Sequence, residues 1–359
     1  MKFYILFCFC IAISCTSNVS QINTTETPEK SWTPSYAKGF KINFYKNYSD
    51  LILLDLQNPG DTMEIIRILN QTPTSVALLS TTHVSYAEHL DALASVKGVA
   101  FASYVKNANA ITKINEGKIL ELSGADDVDM EKLLSIKPDW FFVYPYGHGN
   151  YEKYTSKGIP CIPISEYLET HPLGRAEWIF AFGLVLQKWK EAEIEFAHIE
   201  KAYTELKNAT AHIKDEKRPC VFSGSDDSGT WFASPGNSFQ GTWLHDAGAK
   251  YIFQDSIAQG NISLPFEKLF KIVHDCDFWG RIDAREKDLT LQEIIQEDPR
   301  FGTAKSIREK QVFYCNSTNT DYFGDAVLEP QIILADLIYI FHPEILPDHQ
   351  PKYFKRLEN

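Results

Sequence analysis

The sequence predicts an α/β protein built from two lobes that are joined by long helices. Its length of 359 residues suits two domains of ordinary size, and a hydrophobic content of 44% is enough to bury two cores. Short strand-like runs alternate with helical runs from residue 40 onward, which is typical of helices packed on a largely parallel sheet. One long stretch dense in helix formers interrupts this alternation, so the order is lobe, long helices, lobe.

The first lobe is predicted over residues 40–170. Its strand candidates are apolar or alternating runs bounded by polar, Gly or Pro residues, at 40–48, 50–58, 75–83, 98–104, 140–147 and 158–166. Residues 84–94 place apolar side chains on one helical face, and residues 129–139 form a short helix that Pro138 ends.

Two consecutive long helices are predicted next, over 173–187 and 190–213, inside a linking segment of residues 171–214. The first would be about 22 Å long at 1.5 Å per residue, enough to connect two lobes rigidly. The second lobe, over 215–359, has strand candidates at 220–224, 249–253, 276–282 and 311–317, and helix candidates at 237–247, 264–274, 290–297 and 329–341.

The N-terminus predicts export. Lys2 precedes an apolar run that ends at Ile13, and small Ser14 precedes Cys15, which is the layout of a signal peptide over residues 1–14. The last four residues of this segment resemble a bacterial lipobox, which implies a lipid on Cys15; an ordinary signal peptide with an incidental cysteine is the alternative. Residues 15–39 are polar and predict a flexible tether.

Composition excludes several classes of protein. A net charge of -12 gives no general attraction to phosphate backbones, so nucleic-acid binding is not expected. No apolar stretch suits a polytopic membrane protein. The sequence has no glycine-rich phosphate loop, so ATP hydrolysis would belong to a partner.

The cysteines and histidines do not match a metal or catalytic motif. Cys161, Cys220, Cys276 and Cys315 lack metal-ligand spacing, and we expect buried free thiols, although an exported protein can form disulfides. The ten histidines contain no helical metal-binding pair, so no metal site is predicted, and no nucleophile–base pair is found.

An internal echo links the two lobes. Residues 131–136 and 267–272 both begin with Glu-Lys-Leu and end with Ile. Each segment is followed by an aspartate eight positions after its glutamate, Asp139 or Asp275, and then by an aromatic strand. A match this short also arises by chance between amphipathic helices.

These segments resemble the periplasmic substrate-binding lipoproteins of ATP-driven importers for iron-siderophores, haem and cobalamin. The most specific part is 128–147, with its glutamate helix, Lys-Pro-Asp and apolar strand. Residues 75–93, 98–103 and 156–166 also match, and 171–186 resembles the variant in exported lipoproteins of the Bacteroidetes type. The resemblance implies two Rossmann-like lobes, one long rigid backbone helix, a ligand cleft between the lobes and no enzymatic activity.

The resemblance also implies site residues and partners. Glu131 and Glu267 would each meet an arginine pocket on an inner-membrane permease dimer that carries ATPase subunits, since paired charges fix docking on a symmetric partner. The protein would be a periplasmic, lipid-anchored monomer, with no cofactor other than its ligand: a ferric siderophore, haem or corrinoid. The rival hypotheses are an exported chelate-processing enzyme on the same fold and a purely structural surface lipoprotein.

The cleft residues are predicted from their position at the carboxyl ends of strands, where α/β proteins bind ligands. Aromatic rings would cover an apolar ligand, while hydroxyl groups and arginine would meet its polar rim, and a histidine could also ligate iron. The candidates are Thr82, His83, Tyr104, Tyr144, Tyr146, Trp231, Phe232, Trp279, Arg281 and Tyr322.

Overall fold

The computed structural model describes residues 26–123, 127–145 and 151–357. These residues form two α/β lobes with parallel sheets, which confirms the predicted fold class. Cys15 and Tyr146 lie outside the described residues.

An antiparallel sheet precedes the first lobe. Its strands, in spatial as well as chain order, are β1 (Lys30–Trp32), β2 (Phe40–Phe44), β3 (Tyr48–Leu54) and β4 (Thr62–Leu69). Apolar side chains of β2 and β3, among them Phe40, Ile42 and Leu51, are buried in the main core.

The flexible tether predicted for residues 15–39 is wrong for residues 30–39, which belong to this folded unit. The buried carboxylates of Glu169 and Glu177 accept hydrogen bonds from the backbone N–H groups of residues 35–39, at 2.7–3.1 Å. The polar composition of this segment did not predict its folding, because the bonds are made by its backbone and their partners lie far along the chain.

The first lobe is a parallel sheet with short helices. Its strands are β5 (Val76–Leu78), β6 (Val96–Val99), β7 (Leu120–Glu121), β8 (Trp140–Val143) and β9 (Cys161–Pro163), in spatial order β7-β6-β5-β8-β9. Its helices are α1 (Thr81–His89), α2 (Ala108–Asn115), α3 (Met130–Ser135) and α4 (Glu152–Thr155), with 3-10 turns at Ala102–Tyr104 and Glu166–Leu168.

Three helices link the lobes: α5 (Pro172–Glu177), α6 (Ile179–Val185) and α7 (Trp189–Thr210). The predicted helix over 173–187 is wrong as one continuous helix, because it is interrupted at the buried Trp178, which both ends α5 and begins α6. Neither Pro nor Gly marks this interruption. The longest helix is α7, with 22 residues, and one continuous core extends from the first lobe through these helices into the second.

The second lobe contains two sheets. Its strands are β10 (Cys220–Ser223), β11 (Ser225–Asp227), β12 (Thr230–Ala233), β13 (Lys250–Tyr251), β14 (Ile262–Pro265), β15 (Phe278–Asp283), β16 (Val312–Asn316) and β17 (Lys355–Arg356). The main sheet has the order β13-β10-β15-β16-β17, parallel except for β17, and β11-β12-β14 form a small antiparallel sheet.

Five helices and further 3-10 turns complete this lobe. The helices are α8 (Phe239–Asp246), α9 (Phe266–Val273), α10 (Leu291–Glu297), α11 (Lys305–Arg308) and α12 (Pro330–Phe341). The 3-10 turns are Asp215–Lys217, Pro299–Thr303 and Asp325–Val327. Helix α12 packs against α7 and α8, which ties the second lobe to the linking helices.

A disulfide joins Cys220 and Cys276, so the expectation of free thiols is wrong for this pair. Cys220 begins β10 and Cys276 lies just before β15, and these two strands are neighbours in the sheet. The pairing was not visible in the sequence because the two residues are 56 positions apart. Cys161 and Cys315 are buried free thiols, as expected.

Candidate functional site

The two lobes face each other through the carboxyl ends of their parallel strands. The Thr81 hydroxyl, in the first turn of α1, donates to the Phe323 carbonyl oxygen at 2.5 Å. The Ser85 hydroxyl on the same helix donates to Asp325 Oδ1 at 2.7 Å. The loop after β16 therefore closes one end of a cleft between the lobes, where ligands of α/β proteins usually bind.

The first-lobe wall carries hydroxyl and aromatic groups. Ser80 caps α1, and its hydroxyl lies 2.9 Å from Thr82 Oγ1. The loop after β6 presents Tyr104, which is 69% exposed, beside Phe101, whose backbone is left-handed with φ of 55°. Hydrogen bonds from the backbone of this loop to Glu121 and Ser123 hold it in place.

The second-lobe wall contains a pocket of about 190 Å³ at the ends of β10 and β15. Its apolar surface comes from Phe232, Phe313 and Phe354, among others. Gln240, near the start of α8, donates through Nε2 to the Tyr322 hydroxyl at 3.1 Å. Burial raises the pKa of Tyr322 to about 12, so the hydroxyl keeps its proton at neutral pH.

The other predicted cleft residues differ in their surroundings. Tyr104 is exposed, and Phe232 and Tyr322 line the pocket. Thr82 is buried on the first-lobe side, where its hydroxyl donates to Glu166 at 2.8 Å. Tyr144 directly follows β8 and contacts the ring of His83.

His83 is wrong as a ligand contact, because it is fully buried among Phe142, Tyr144 and Phe182. Burial lowers the pKa of His83 to about 3, so the ring is neutral at physiological pH. The sequence placed His83 in a strand-end loop, whereas helix α1 begins two residues earlier and turns this side chain into the core.

Trp231 and Trp279 are wrong as cleft residues, because both are buried in the outer core of the second lobe. The Trp231 indole donates to the Ser223 carbonyl oxygen, and the Trp279 indole to that of Gly224, both at 3.0 Å. Successive side chains of a strand point to opposite faces, so when Trp231 faces the core, Phe232 faces the pocket.

Arg281 is wrong for a different reason: its charge is already paired inside the protein. The guanidinium lies 3.0 Å from Asp283 and 2.9 Å from Glu297, and the side chain is buried. A ligand anion would have to displace two carboxylates to reach it.

The structure adds pocket residues that the sequence analysis missed, including Ser234, Gln240 and Phe354. Ser234 and Gln240 lie where the chain enters α8, and Phe354 lies in the C-terminal tail beside β17. None follows a strand of the parallel sheet, which was the only criterion used. Among the described residues, no cluster of His, Cys, Asp and Glu could hold a metal ion.

The echoed glutamates lie outside the cleft at corresponding places. Each is the second residue of its helix, Glu131 in α3 and Glu267 in α9. Both are exposed, and the Glu267 carboxylate is also 3.4 Å from Arg300. A carboxylate in the first turn is favoured by the helix dipole.

Known proteins share this architecture. A sequence model described as periplasmic binding protein matches residues 79–318, about two thirds of the chain. The chain belongs to this family. Its members are binding proteins rather than enzymes, and together with a lipoprotein relative they indicate an extracytoplasmic location.

That relative is an uncharacterized lipoprotein of Methanocaldococcus jannaschii, 26% identical over 306 residues, which cover 82% of this chain and 70% of the relative. The Haemophilus influenzae molybdate-binding protein MolA superposes with a TM-score of 0.63 at 18% identity, over 83% of this chain and 93% of MolA. The siderophore-binding protein BauB, solved with ferric acinetobactin, gives 0.61 at 16% identity, over 78% of this chain and 96% of BauB. These structures show the shared fold. No helix among the described residues is both long and apolar enough to cross a membrane.

Proposed function

We propose that this protein is a lipid-anchored periplasmic binding protein that captures a ferric siderophore, haem or corrinoid and delivers it to an inner-membrane ABC permease. The observation that carries the proposal is the cleft between two parallel-sheet lobes in a chain of this family. BauB, which has the same fold, was solved with a ferric siderophore.

Capture is assigned to the cleft walls. Tyr104 offers an exposed ring on the first lobe, and Phe232 is 39% exposed at the pocket of the second. Tyr322 adds a hydroxyl that stays protonated. Aromatic faces with a few polar groups are the usual lining of a site for a partly apolar ligand. Tyr144 and Tyr146 remain proposed contacts on the first lobe.

Delivery is assigned to Glu131 and Glu267. Their exposure and matching helix positions would let the protein place one carboxylate on each half of a symmetric permease dimer. The core that runs through α5–α7 supports this, because it would hold the lobes at a fixed spacing. Among the described residues, no hydrogen bond or ion pair joins either carboxylate to a cleft residue.

Anchoring is assigned to a lipid on Cys15. Changing Cys15→Ala should release the protein from the membrane fraction or block its processing. Fractionation of cells, with the mature N-terminus read by mass spectrometry, tests this; a correctly cleaved variant that stays in the membrane would contradict it.

The proposal as a whole is tested by purifying the protein from its native host and identifying what it carries. A metal chelate or corrinoid, seen by visible absorbance and native mass spectrometry, is the expected result. Deleting the gene should then lower uptake of that same compound. A strain that takes up the compound normally would argue against a role in import.

A further inference from the structure

The pocket at the ends of β10 and β15 has a floor and a deep end made of packed side chains. On the floor, the ring of Phe313 lies over Gly280, where an added β-carbon would be only 2.3 Å from that ring. Trp243 on α8 and Leu337 on α12 line the deep end, and neither is more than 3% exposed. The pocket is therefore a fixed cavity in the second lobe rather than a gap between surface loops.

The mouth of the pocket is reached from the cleft. The exposed residues of its lining are Phe232 and Asn261. Gln259, two residues before Asn261, donates to the Gln57 carbonyl oxygen in the turn between β3 and β4 at 3.2 Å. Tyr322 lines the pocket from the loop that meets α1 of the first lobe. The first lobe and the sheet that precedes it therefore approach the pocket from two sides, so a ligand held between the lobes has access to its mouth.

The size of the pocket limits what can enter it. Its volume is about 190 Å³, whereas sites for whole drug-sized ligands occupy about 300–1,000 Å³. An apolar cavity of about 150 Å³ is enough to hold one benzene molecule. The pocket is therefore too small for a whole metal chelate, but it has room for one ring-sized group.

The pocket also offers one oriented hydrogen-bond donor. The Ser234 hydroxyl donates to Gln240 Oε1, and Gln240 Nε2 donates to the Tyr322 hydroxyl at 3.1 Å. Tyr322 keeps its own proton at neutral pH, as described above, and no group in the described part of the chain accepts that proton. This series of bonds leaves the Tyr322 O–H available to a ligand.

The lining of the pocket is uncharged. None of the described residues that form it is acidic or basic. Arg175, whose charge acts on Tyr322, lies over the ring of Phe239 and does not line the pocket. A carboxylate moved into such a pocket loses its hydration and gains no cation, whereas a neutral group that accepts one hydrogen bond avoids this cost. The rings of Phe232, Phe313 and other lining residues also suit a flat, apolar group.

We propose that this pocket receives one uncharged, ring-sized arm of the ligand, whose hydrogen-bond acceptor meets the Tyr322 hydroxyl, while the rest of the ligand lies in the cleft. The inference rests on the proposed binding function and narrows its ligand to chelates that carry such an arm. A chelate whose only polar arms are ionised carboxylates, such as haem, does not have this chemistry.

The first test titrates the full mature chain, solubilised in detergent, with benzamide and benzoate, followed by ligand-observed NMR. The two probes have the same ring and nearly the same size, and they differ in charge. Benzamide should bind at least about tenfold more tightly than benzoate. Asn261→Trp, which places an indole at the mouth from an exposed position, gives the blank for partitioning into micelles, and Asn208→Trp, exposed on α7, is its matched control. Equal binding of the two probes, or benzamide binding that Asn261→Trp does not reduce, would overturn the inference.

A second variant tests the hydrogen bond separately from the shape of the pocket. Tyr322→Phe removes only the hydroxyl, so it should weaken benzamide about fivefold and leave the binding of toluene, which has no acceptor, unchanged. Equal losses for benzamide and toluene would mean that Tyr322 only supports the pocket, and they would contradict its role as the donor.

The last test asks whether the ligand itself uses the pocket. Wild type, Asn261→Trp and Asn208→Trp are purified from the native host, and the compound that each carries is measured by native mass spectrometry. Asn261→Trp should carry at least about tenfold less of it than the other two. Equal loading of all three would overturn the inference and leave the import function standing. A wild type that carries no compound would instead count against the proposed function, whatever the result with benzamide.

Discussion

The two lobes tie neighbouring strands together with the same device, but they hold the helices that carry Glu131 and Glu267 in different ways. In each lobe, an aspartate just before one strand binds the backbone at the start of the strand beside it. Asp139 accepts the backbone N–H groups of Thr74 and Ser75 before β5, and Asp277 accepts that of Cys220 at the start of β10. The sequence echo paired Asp139 with Asp275, which is two residues away from the true counterpart.

The helices that carry the two echoed glutamates differ. Helix α3 has a side-chain cap, Asp129, and leaves Glu131 exposed. Helix α9 has no side-chain cap; instead the disulfide follows it, and Arg300 lies over the ring of Phe266 and beside Glu267. Helix α3 thus has a side-chain cap, whereas α9 has a disulfide after it and a charge pair at its first turn. The comparison teaches that a device shared by the two lobes does not make the two glutamates equivalent.

The largest expected effect comes from breaking the disulfide. The Cys220→Ser/Cys276→Ser variant should lose about 2–4 kcal/mol of unfolding free energy, because a 56-residue loop is no longer closed in the unfolded chain. Urea denaturation of the detergent-solubilised chain measures this. A reductant should lower the stability of the wild type and leave the variant unchanged. If the wild type keeps its free energy of unfolding in reductant, the disulfide does not stabilise the second lobe.

The contact between the lobes should depend on pH through Asp321, in the loop that meets α1. Burial, and then the negative charge of Asp325, raise the pKa of Asp321 to about 6. The positive charges of Lys106 and Lys352 act to lower this pKa but do not outweigh burial. A raised carboxyl pKa stabilises the fold at low pH, and this contribution is lost as the pH rises through 6. Asp321→Asn should therefore add about 1 kcal/mol at pH 8 after allowance for solvent screening, and little at pH 4.

Thermal unfolding of wild type and Asp321→Asn across this pH range checks the sign. Asp325→Ala is the contrasting control, because it removes the oxygen that accepts the hydrogen bond from Ser85 and should destabilise the fold instead. An Asp321→Asn variant that is less stable at pH 8 than at pH 4, relative to wild type, would contradict the account.

A smaller difference in stabilisation is expected between Asp139 and Asp277, the two aspartates that bind the backbone at the start of a neighbouring strand. Partial burial alone would raise the pKa of Asp139, but hydrogen bonds from Ser75 and Thr74 outweigh it and hold the pKa below its ordinary value. Its stabilisation is therefore present at neutral pH and lost as the pH falls below about 4. Asp139→Asn should cost about 1 kcal/mol at pH 7.

Asp277→Asn should cost less in the oxidised protein, about 0.5 kcal/mol, because the disulfide already holds Cys220 in place. Denaturation of both variants with and without reductant measures this. Reduction should increase the cost of Asp277→Asn and leave that of Asp139→Asn unchanged. If Asp277→Asn loses the same unfolding free energy with and without reductant, the disulfide and Asp277 stabilise the lobe independently.

The fold was predictable because its signals are local. Short apolar strands, the helix that Pro138 ends and the polar turn between β2 and β3 can each be predicted from a few neighbouring residues. The interruption at Trp178 was not predictable, because no local signal marks it and its visible contact is tertiary. The indole donates to buried Glu169, which also binds the N-terminal segment. The burial of that segment depends on the same two distant glutamates.

The site was predictable only in part, for a geometric reason. Strand-end position selected Phe232 and Tyr322, which line the pocket, and Tyr104, which is exposed; their contact with a ligand stays a prediction. Strand-end position does not indicate which way a side chain turns. Trp231 and Phe232 are neighbours on one strand, and only the second faces the pocket. Arg281 was predicted as a cleft residue from its charge. Its partner Glu297 lies on α10 and comes within hydrogen-bonding distance only because that helix packs beside β15.

The central claim is that capture and delivery are separate properties of one molecule, with the cleft responsible for one and the two glutamates for the other. In the described part of the chain, neither glutamate makes a hydrogen bond or ion pair with a cleft residue. The double variant Glu131→Ala/Glu267→Ala should therefore fold normally and bind ligand like the wild type. Because Arg300 already pairs with Glu267, Glu131→Ala should weaken permease docking more than Glu267→Ala does. One lost charge pair corresponds to about tenfold in affinity.

The most direct test measures ligand affinity and ligand transport with the same preparations, using the permease and its ATPase reconstituted in vesicles. Glu205→Ala, an exposed change on α7, is the matched control. We expect the double variant to keep wild-type ligand affinity while its support of transport falls well below that of the control. Normal transport by the double variant, or a loss of ligand affinity in it, would contradict the claim that these two carboxylates serve delivery alone.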